Sequence, residues 1–317
     1  MPTPLATDTQ NANLESRSQI IRDIYPKGTP FLSLLKSVAA KGRTHLFQYQ
    51  SLPTPAIQTG IVEGATVTHA AGDMIARSEL TNHCQNFRQP FEATFDQDAV
   101  AKPGDIGSGK MSEYNKAKAL ASIALVRNLD ITLFANATPV QPVQASSTSG
   151  VLGGVQYWLN TGVTAAADNV IDATASGQDG MLTQDMYDDG TRAAYRDGGL
   201  PAKAFMGTFQ KRRVAKFVQN VTRNISEAGK KLVDVINTYE NIIGVQDIIT
   251  EPQLDIVLPG FVFQIDMQHI GVAYLRTLTH TMEGNAGSRN SGFVDLTVTL
   301  EFNAPQTASM ITNLRTR

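Results

Sequence analysis

The stretch Met111 to Ala137, MSEYNKAKALASIALVRNLDITLFANA, constrains this chain more than any other. No Gly or Pro occurs between Gly109 and Pro139, and Ala, Leu, Lys and Ile dominate the interior, so one continuous helix is predicted. At the α-helical rise it would be about 40 Å long, well beyond the ~11 residues of an average globular helix. Tyr114, Ala117, Leu120, Ala121, Ala124, Leu125 and Leu129 recur at helical spacing, while Lys116, Lys118, Arg127 and Asp130 fall largely off that stripe. Ile123, Val126, Ile131, Leu133 and Phe134 widen the apolar surface, so the helix reads as a spine with other elements laid across it.

A chain of 317 residues can hold one large core or two modest ones. With 42% hydrophobic and 18% charged residues the composition is globular, and a net charge of -2 gives no basic excess for nucleic acid and no acidic excess for cations. Cys84 stands alone, which excludes an internal disulfide and suits a reducing compartment. The opening residues lack an apolar core of the kind a secretory leader has, and nowhere are there 18 consecutive apolar residues, so a soluble chain, unprocessed at its start, is expected.

Residues 1 to 18 are polar and read as a flexible or partner-docked arm. Ser18 to Ser37 sets two apolar clusters around the turn Pro26 to Pro30, and Phe31, Leu32, Leu34 and Leu35 form a short helical or extended anchor. Between Lys41 and Arg77, residues 44 to 51 alternate like a strand, and a second β-prone run at Ile61, Val62, Val67 and Thr68 follows a Pro-rich region. The two runs read as a long hairpin too poor in apolar groups to be stable alone. It is therefore expected to project from the body and to be stabilised by another subunit.

Asn82 to Val100 adds a strand with Phe87, Phe91 and Phe95 as its bulky residues, and a breaker at Lys102 to Lys110 precedes the spine. A polar loop to about Gly150 leads to the only tryptophan, Trp158, an expected anchor. Residues 181 to 265 read as an α/β unit, with helices at Leu182 to Arg196 and Phe209 to Val221 and strands at Ala202 to Met206, Lys230 to Tyr239, Ile242 to Thr250, Ile256 to Leu258 and Phe261 to Ile265. Val272 to His280 and Phe293 to Phe302 return to strand, the latter alternating apolar and polar residues as a half-buried strand does. No internal repeat is present.

The sharpest motif is GDIGSGKM, Gly104 to Met111, which matches the phosphate-loop pattern G-x-x-x-x-G-K-[ST] up to its last position. Met111 has no hydroxyl for magnesium, and Ser112 is one residue late, roughly 100° around a helix. A Gly/Ser turn that starts the spine is the better reading. The five histidines, His45, His69, His83, His269 and His280, show no metal-ligand spacing. Cys84 beside His83 does not make a nucleophile pair, because adjacent strand residues face opposite ways. Asp185, Asp188 and Asp189 read as a solvated helix face, and Lys211, Arg212, Arg213 and Lys216 as a surface or subunit contact. No G-x-S-x-G nucleophile elbow occurs. The lack of a coherent catalytic, cofactor or metal site favours a structural role.

RDIYPKGTPFLSLL (Arg22 to Leu35), EGA (Glu63 to Ala65), the long helix, GLPAKAFMGTFQKRRVAKF (Gly199 to Phe217), and AYLRTL followed by DLTVTLEFNAPQTASMITNL resemble, in this order, tailed-bacteriophage major capsid proteins of the Hong Kong 97 type. Within that type they resemble the branch with an N-terminal TPF block and an EGA hairpin. The resemblance implies an α+β fold with an N-terminal arm (1 to 36), an extended hairpin loop (37 to 82), a peripheral domain (83 to 137 with 271 to 317) and an axial domain (138 to 270). It implies a non-enzymatic subunit forming the hexamers and pentamers of an icosahedral shell around packaged double-stranded DNA, assembled in the host cytoplasm and carried in the virion. Implied partners are further copies of itself, a portal, minor capsid or decoration proteins and a separate scaffolding protein, with non-specific contact to DNA and none to membrane. Under this reading Tyr25, Phe31, Leu34 and Leu35 are expected as arm contacts between subunits, and Phe47, Tyr49, Glu63 and Arg77 as extended-loop contacts.

Two features qualify the resemblance. The segment before the TPF block is too short for a large fused scaffolding domain, so assembly is expected to use a separate scaffold or none. Some members of the wider fold weld subunits through a lysine in the extended loop, but no Lys lies between Lys41 and Lys102, so no such cross-link is expected. The rival readings are a cellular nanocompartment shell of the same fold and, from another class, a nucleotide-dependent enzyme using Gly104 to Lys110.

Overall fold

The computed structural model describes residues 28–50, 57, 60–66, 77–99, 112–160, 169–175, 179–217, 237–283 and 287–316. In chain order the elements are α1 (Pro30–Leu34), β1 (Lys36–Ala39), β2 (Thr44–Gln50), β3 (Arg77–His83), β4 (Gln85–Thr94), α2 (Phe95–Ala99), α3 (Glu113–Phe134), α4 (Val155–Asn160), β5 (Val170–Asp172), α5 (Gln184–Arg196), β6 (Lys203–Met206), α6 (Thr208–Phe217), β7 (Thr238–Glu240), β8 (Val245–Thr250), α7 (Pro252–Val257), β9 (Val262–Ile265), β10 (Ile270–Glu283), β11 (Arg289–Phe302) and β12 (Ser309–Thr312). The strands form a four-stranded sheet, β1-β10-β11-β4, a six-stranded sheet, β5-β12-β9-β6-β8-β7, and the two-stranded ribbon β2-β3.

The spine helix is α3, 22 residues long, or about 33 Å. Its buried residues Ala121, Leu125, Leu129 and Leu133 step by four, as one helix face must, and Phe134 joins them at the end. Leu120 and Ile123 lie on the exposed side, so the buried stripe is narrower than the sequence suggests. The first half of α3 lies on the four-stranded sheet, where Tyr114 meets Phe91 at 5.1 Å and its hydroxyl bonds His280 Nε2 at 2.9 Å. The last turn reaches the six-stranded sheet, where the Phe134 ring sits 4.9 Å from Phe263. One core therefore runs from Phe91 and Leu296 through Leu129 to Phe263 and Met310. A second core, on the other face of the six-stranded sheet, is built by Met186, Tyr187, Val214, Ile248 and Ile311 beneath α5 and α6.

The spine stops at Phe134, three residues earlier than expected, because Ala135 is extended (ψ 154) and another strip of backbone abuts the helix end. A Cβ on Gly154 would lie 2.6 to 2.8 Å from the Leu133 and Ala135 backbone, so only glycine allows this approach.

Several elements differ from the sequence expectation. The returning arm of the hairpin is β3, paired from Thr44↔His83 to Gln50↔Arg77, and the described residues 61–66 form a turn instead of a strand. Lys36–Ala39, expected at the junction of arm and loop, is a strand parallel to β10. Phe95 belongs to α2 and is exposed, unlike Phe87 and Phe91. Ile256 and Val257 end a helix that Pro252 at its first position and the Glu251 cap start, so capping overrides their β preference. β12 joins the six-stranded sheet between β5 and β9, so the chain crosses from one sheet to the other after Phe302. Val218 to Val221 and Lys230 to Ile236 lie outside the described residues.

β11 departs from simple alternation. Val294, Leu296, Val298, Leu300 and Phe302 are buried as expected, but Asp295 and Thr299 on the opposite side are buried too. Arg276 Nη2 and Thr279 Oγ1 bond the Asp295 carboxylate, and Arg88 approaches it at 3.6 Å. A buried charge must be paired in this way.

Candidate functional site

Two features position the residues expected as contacts: the root of the β2-β3 hairpin and the seat of α1. At the root Asn82, with no exposed surface, uses every polar atom of its carboxamide. Nδ2 donates to Gly153 O (3.0 Å) and Leu300 O (2.8 Å), and Oδ1 accepts from the backbone of Gly153 (2.8 Å) and His83 (2.9 Å). One side chain thereby ties the ribbon to β11 and to the segment before α4. Beside it Phe47 meets the Trp158 ring edge-on at 5.7 Å, Leu80 is buried, and His45 Nε2 lies 2.9 Å from Glu301 Oε2.

Beyond Phe47 and Leu80 the ribbon leaves the body. Gln48, Gln50, Arg77, Ser78 and Glu79 are exposed. At Val62-Glu63-Gly64-Ala65 the Ala65 amide donates to Val62 O at 3.1 Å, and Gly64 has φ +83, the geometry of a turn that requires glycine at its third position. The EGA motif is thus a turn that displays Glu63, with Ile61 (84% exposed) and Val62 (80%) beside it.

The seat of α1 is built around Phe31, which has no exposed surface and whose ring lies 4.2 Å from the tilted Phe134 ring and 5.0 Å, edge-on, from Phe205. The Thr29 side chain does not cap the helix. Instead Glu251 Oε2 accepts from the Phe31 amide (3.2 Å) and Asp130 Oδ1 from the Leu32 amide (2.9 Å). Both carboxylic side chains are fully buried. Burial pushes Asp130 up to about 6; burial and the neighbouring Asp130 charge push Glu251 up to about 8.

The expected contact residues therefore fall into two sets. Phe31 and Phe47 sit in the chain's own core, which leaves no ring surface for a neighbour, and Leu35 and Tyr49 are half-buried against it. Leu34, Glu63 and Arg77 are exposed. Tyr25 lies outside the described residues. Asn82, Asp130 and Glu251 carry no sequence signal as site residues: one is a lone amide in a strand, and the carboxylates are remote in sequence from the amides they hold.

Other candidates change little. Gly104 to Lys110 lies outside the described residues, and the preceding strand β4 runs antiparallel at a sheet edge and ends in α2, whereas a phosphate loop follows a parallel strand. Among the described residues no three His, Cys, Asp or Glu side chains gather as a metal site. No described helix is long and apolar enough to cross a membrane. Cys84 is buried with its thiol shifted up by burial, and His83 is shifted down by the same cause.

The fold has close counterparts. The cyanophage A-1(L) capsid subunit is similar at a TM-score of 0.70 and 12% identity, covering 99% of this chain and 100% of that one. A Mycobacterium phage Adephagia structure is similar at 0.63 and 10%, covering 98% of each. The SrpI encapsulin of Synechococcus elongatus is similar at 0.58 and 10%, covering 100% and 97%. No curated protein matches in sequence. The α3 spine, the projecting ribbon and the two sheets are thus the Hong Kong 97-type capsid fold. The model of the SU10 major capsid protein family matches residues 3–315, and the chain belongs to that family: it is a major capsid protein, a structural subunit that self-assembles into a virion shell.

Proposed function

We propose that the chain forms the hexamers and pentamers of an icosahedral shell that encloses packaged double-stranded DNA and is assembled in the host cytoplasm. The observation that carries this is the hairpin: rigidly held at Asn82, Phe47 and Leu80, with no fully buried side chain beyond them among the described residues. A ribbon so built gains its remaining burial from a neighbouring subunit, which is how a shell distributes stability between chains. The four-stranded sheet with the spine acts as the peripheral domain and the six-stranded sheet as the axial domain. Leu34, Glu63 and Arg77 supply contacts between subunits, and Phe31 and Phe47 serve by fixing the seats from which those contacts extend. A net charge of -2 suits a wall that must not hold its DNA tightly. The chain performs no catalysis; a portal and minor capsid or decoration proteins complete the particle, with a separate scaffold or none during assembly.

Electron microscopy of the purified protein tests this. Uniform shells or ring-shaped capsomers are expected, and a monodisperse monomer with nucleotide affinity would overturn the reading. A cargo-enclosing nanocompartment is the second reading, prompted by the likeness to an encapsulin. Nuclease-resistant DNA inside particles from infected cells separates the two. No covalent ladder is expected on denaturing gels of mature particles, since no Lys lies between Lys41 and Lys102.

A further inference from the structure

The contact between α1 and the rest of the chain has an unusual chemistry. The first amides of a helix lack intrahelical partners, and here the acceptors come from two elements far away in sequence, α3 and the start of α7. Glu251 also caps its own helix, accepting from the Gln253 amide at 3.3 Å, so it joins α1 to α7 while Asp130 joins α1 to the spine. The two carboxyl groups lie within hydrogen-bonding reach of each other. Asp130 Oδ2 is buried and has no donor among the described groups unless Glu251 carries a proton.

No described cation neutralises the pair. On α3, Arg127 points its Nη2 at Gln253 Oε1 (3.4 Å), not at either carboxylate. On α7, Asp255 is occupied by the Thr208 amide and hydroxyl (3.0 and 2.6 Å). α1 contributes no charge, and Lys36, just after it, donates to Gln268 O. Phe31, whose amide Glu251 holds, packs its ring on Phe134 and Phe205. Two carboxylates in such a place repel strongly, and one shared proton removes the repulsion while leaving acceptors for the Phe31 and Leu32 amides.

We propose that Asp130 and Glu251 form a proton-sharing clasp that seats the N-terminal anchor α1 on the subunit body and releases it when the shared proton is lost. The pair titrates as a unit. The seated state holds a proton that the released, solvated carboxyls would give up, so its advantage is complete at low pH and is lost as pH rises through about 8, the value to which Glu251 is raised.

Hydrogen exchange on the full chain, free and assembled, reads the clasp directly. Protection of the Phe31 to Ser33 amides, corrected for intrinsic base catalysis, is expected to fall about tenfold or more between pH 7 and pH 9.5, the equivalent of ~1.4 kcal/mol, while α5 amides keep theirs. Glu251→Gln retains an acceptor for the Phe31 amide and gives Asp130 a permanent donor, so its profile should be flat; Asp130→Asn should behave alike. Flat wild-type protection, or an equal loss in a folded Glu251→Gln or Asp130→Asn protein, would overturn the proposal. Should neither variant fold, the wild-type profile decides alone. Normal shells with flat protection would sink the clasp and leave the shell reading intact.

Discussion

Asn82 and Gly153 exchange two hydrogen bonds, Asn82 Nδ2 to Gly153 O at 3.0 Å and Gly153 N to Asn82 Oδ1 at 2.8 Å, across 71 residues of chain. Through this pair the ribbon β2-β3 is fixed to the segment that packs on the end of the spine. Trp158 Nε1 donates to the same Gly153 carbonyl at 3.1 Å, so the junction also fixes the tryptophan against Phe47.

Replacing Asn82 by Asp removes both donors and buries a carboxylate against the Gly153 and Leu300 carbonyls. A loss of about 2–4 kcal/mol is expected, the cost of leaving buried groups unpaired. Urea denaturation of the subunit would report it as a lower midpoint at unchanged slope. An unchanged midpoint would show that the root is held by apolar contacts alone.

At Leu125, in the middle of the buried spine face, truncation to Ala should cost about 2–5 kcal/mol through lost burial and a cavity. Leu125→Pro should cost ~3 kcal/mol or more from the backbone alone and abolish particle formation. Sedimentation of the lysate distinguishes shells from aggregate, and normal shells from the Pro variant would refute the role of α3 as spine.

Gly64 separates folding from assembly. Its φ of +83 is unfavourable for side chains, yet a Cβ there meets nothing within 4 Å. Gly64→Val should therefore leave the thermal midpoint of the isolated subunit within a degree or two, because the turn lies beyond the core, while lowering the rate or yield of assembly through a misdirected tip. Light scattering during assembly, alongside calorimetry, checks both halves; unaltered assembly would remove the turn from the contact surface.

Cys84 is buried, with its Sγ 3.5 Å from Gly42 O, and burial raises its thiol. Less thiolate and no access both slow alkylation. At neutral pH iodoacetamide should label Cys84 only as fast as the root opens, and Asn82→Ala should speed labelling by about tenfold or more for each ~1.4 kcal/mol lost. Equal labelling of native and denatured wild type would contradict the packing of this strand.

Much of the architecture is legible in local pattern. The spine follows from a long run without Gly or Pro, α5 from Thr183, whose hydroxyl caps Met186, and β11 from alternating Val, Leu and Phe. The hairpin is visible through β2, and its independence from the core through the scarcity of apolar residues. Pattern alone misplaces its return strand because Ile61 and Val62 have high β propensity, whereas pairing is decided by the register Thr44↔His83, a non-local choice. Ile256 and Val257 mislead for the same reason: propensity is a weak prior against a Pro-started, capped turn.

What the sequence alone determined is therefore local and periodic: a long spine helix with an apolar face, a core-poor ribbon, and the order of motifs that places the chain among capsid proteins. What only the tertiary structure decided is which polar groups meet. Asp130 lies off the expected apolar stripe, where a charge belongs in solvent, yet it is buried because Leu32, 98 residues earlier, brings an amide to it. Phe31 and Phe47, expected to reach outward, are consumed within the subunit because Phe134 and Trp158 are there to receive them. Burial of a polar or aromatic side chain depends on partners remote in sequence, and no window of neighbouring residues contains that information.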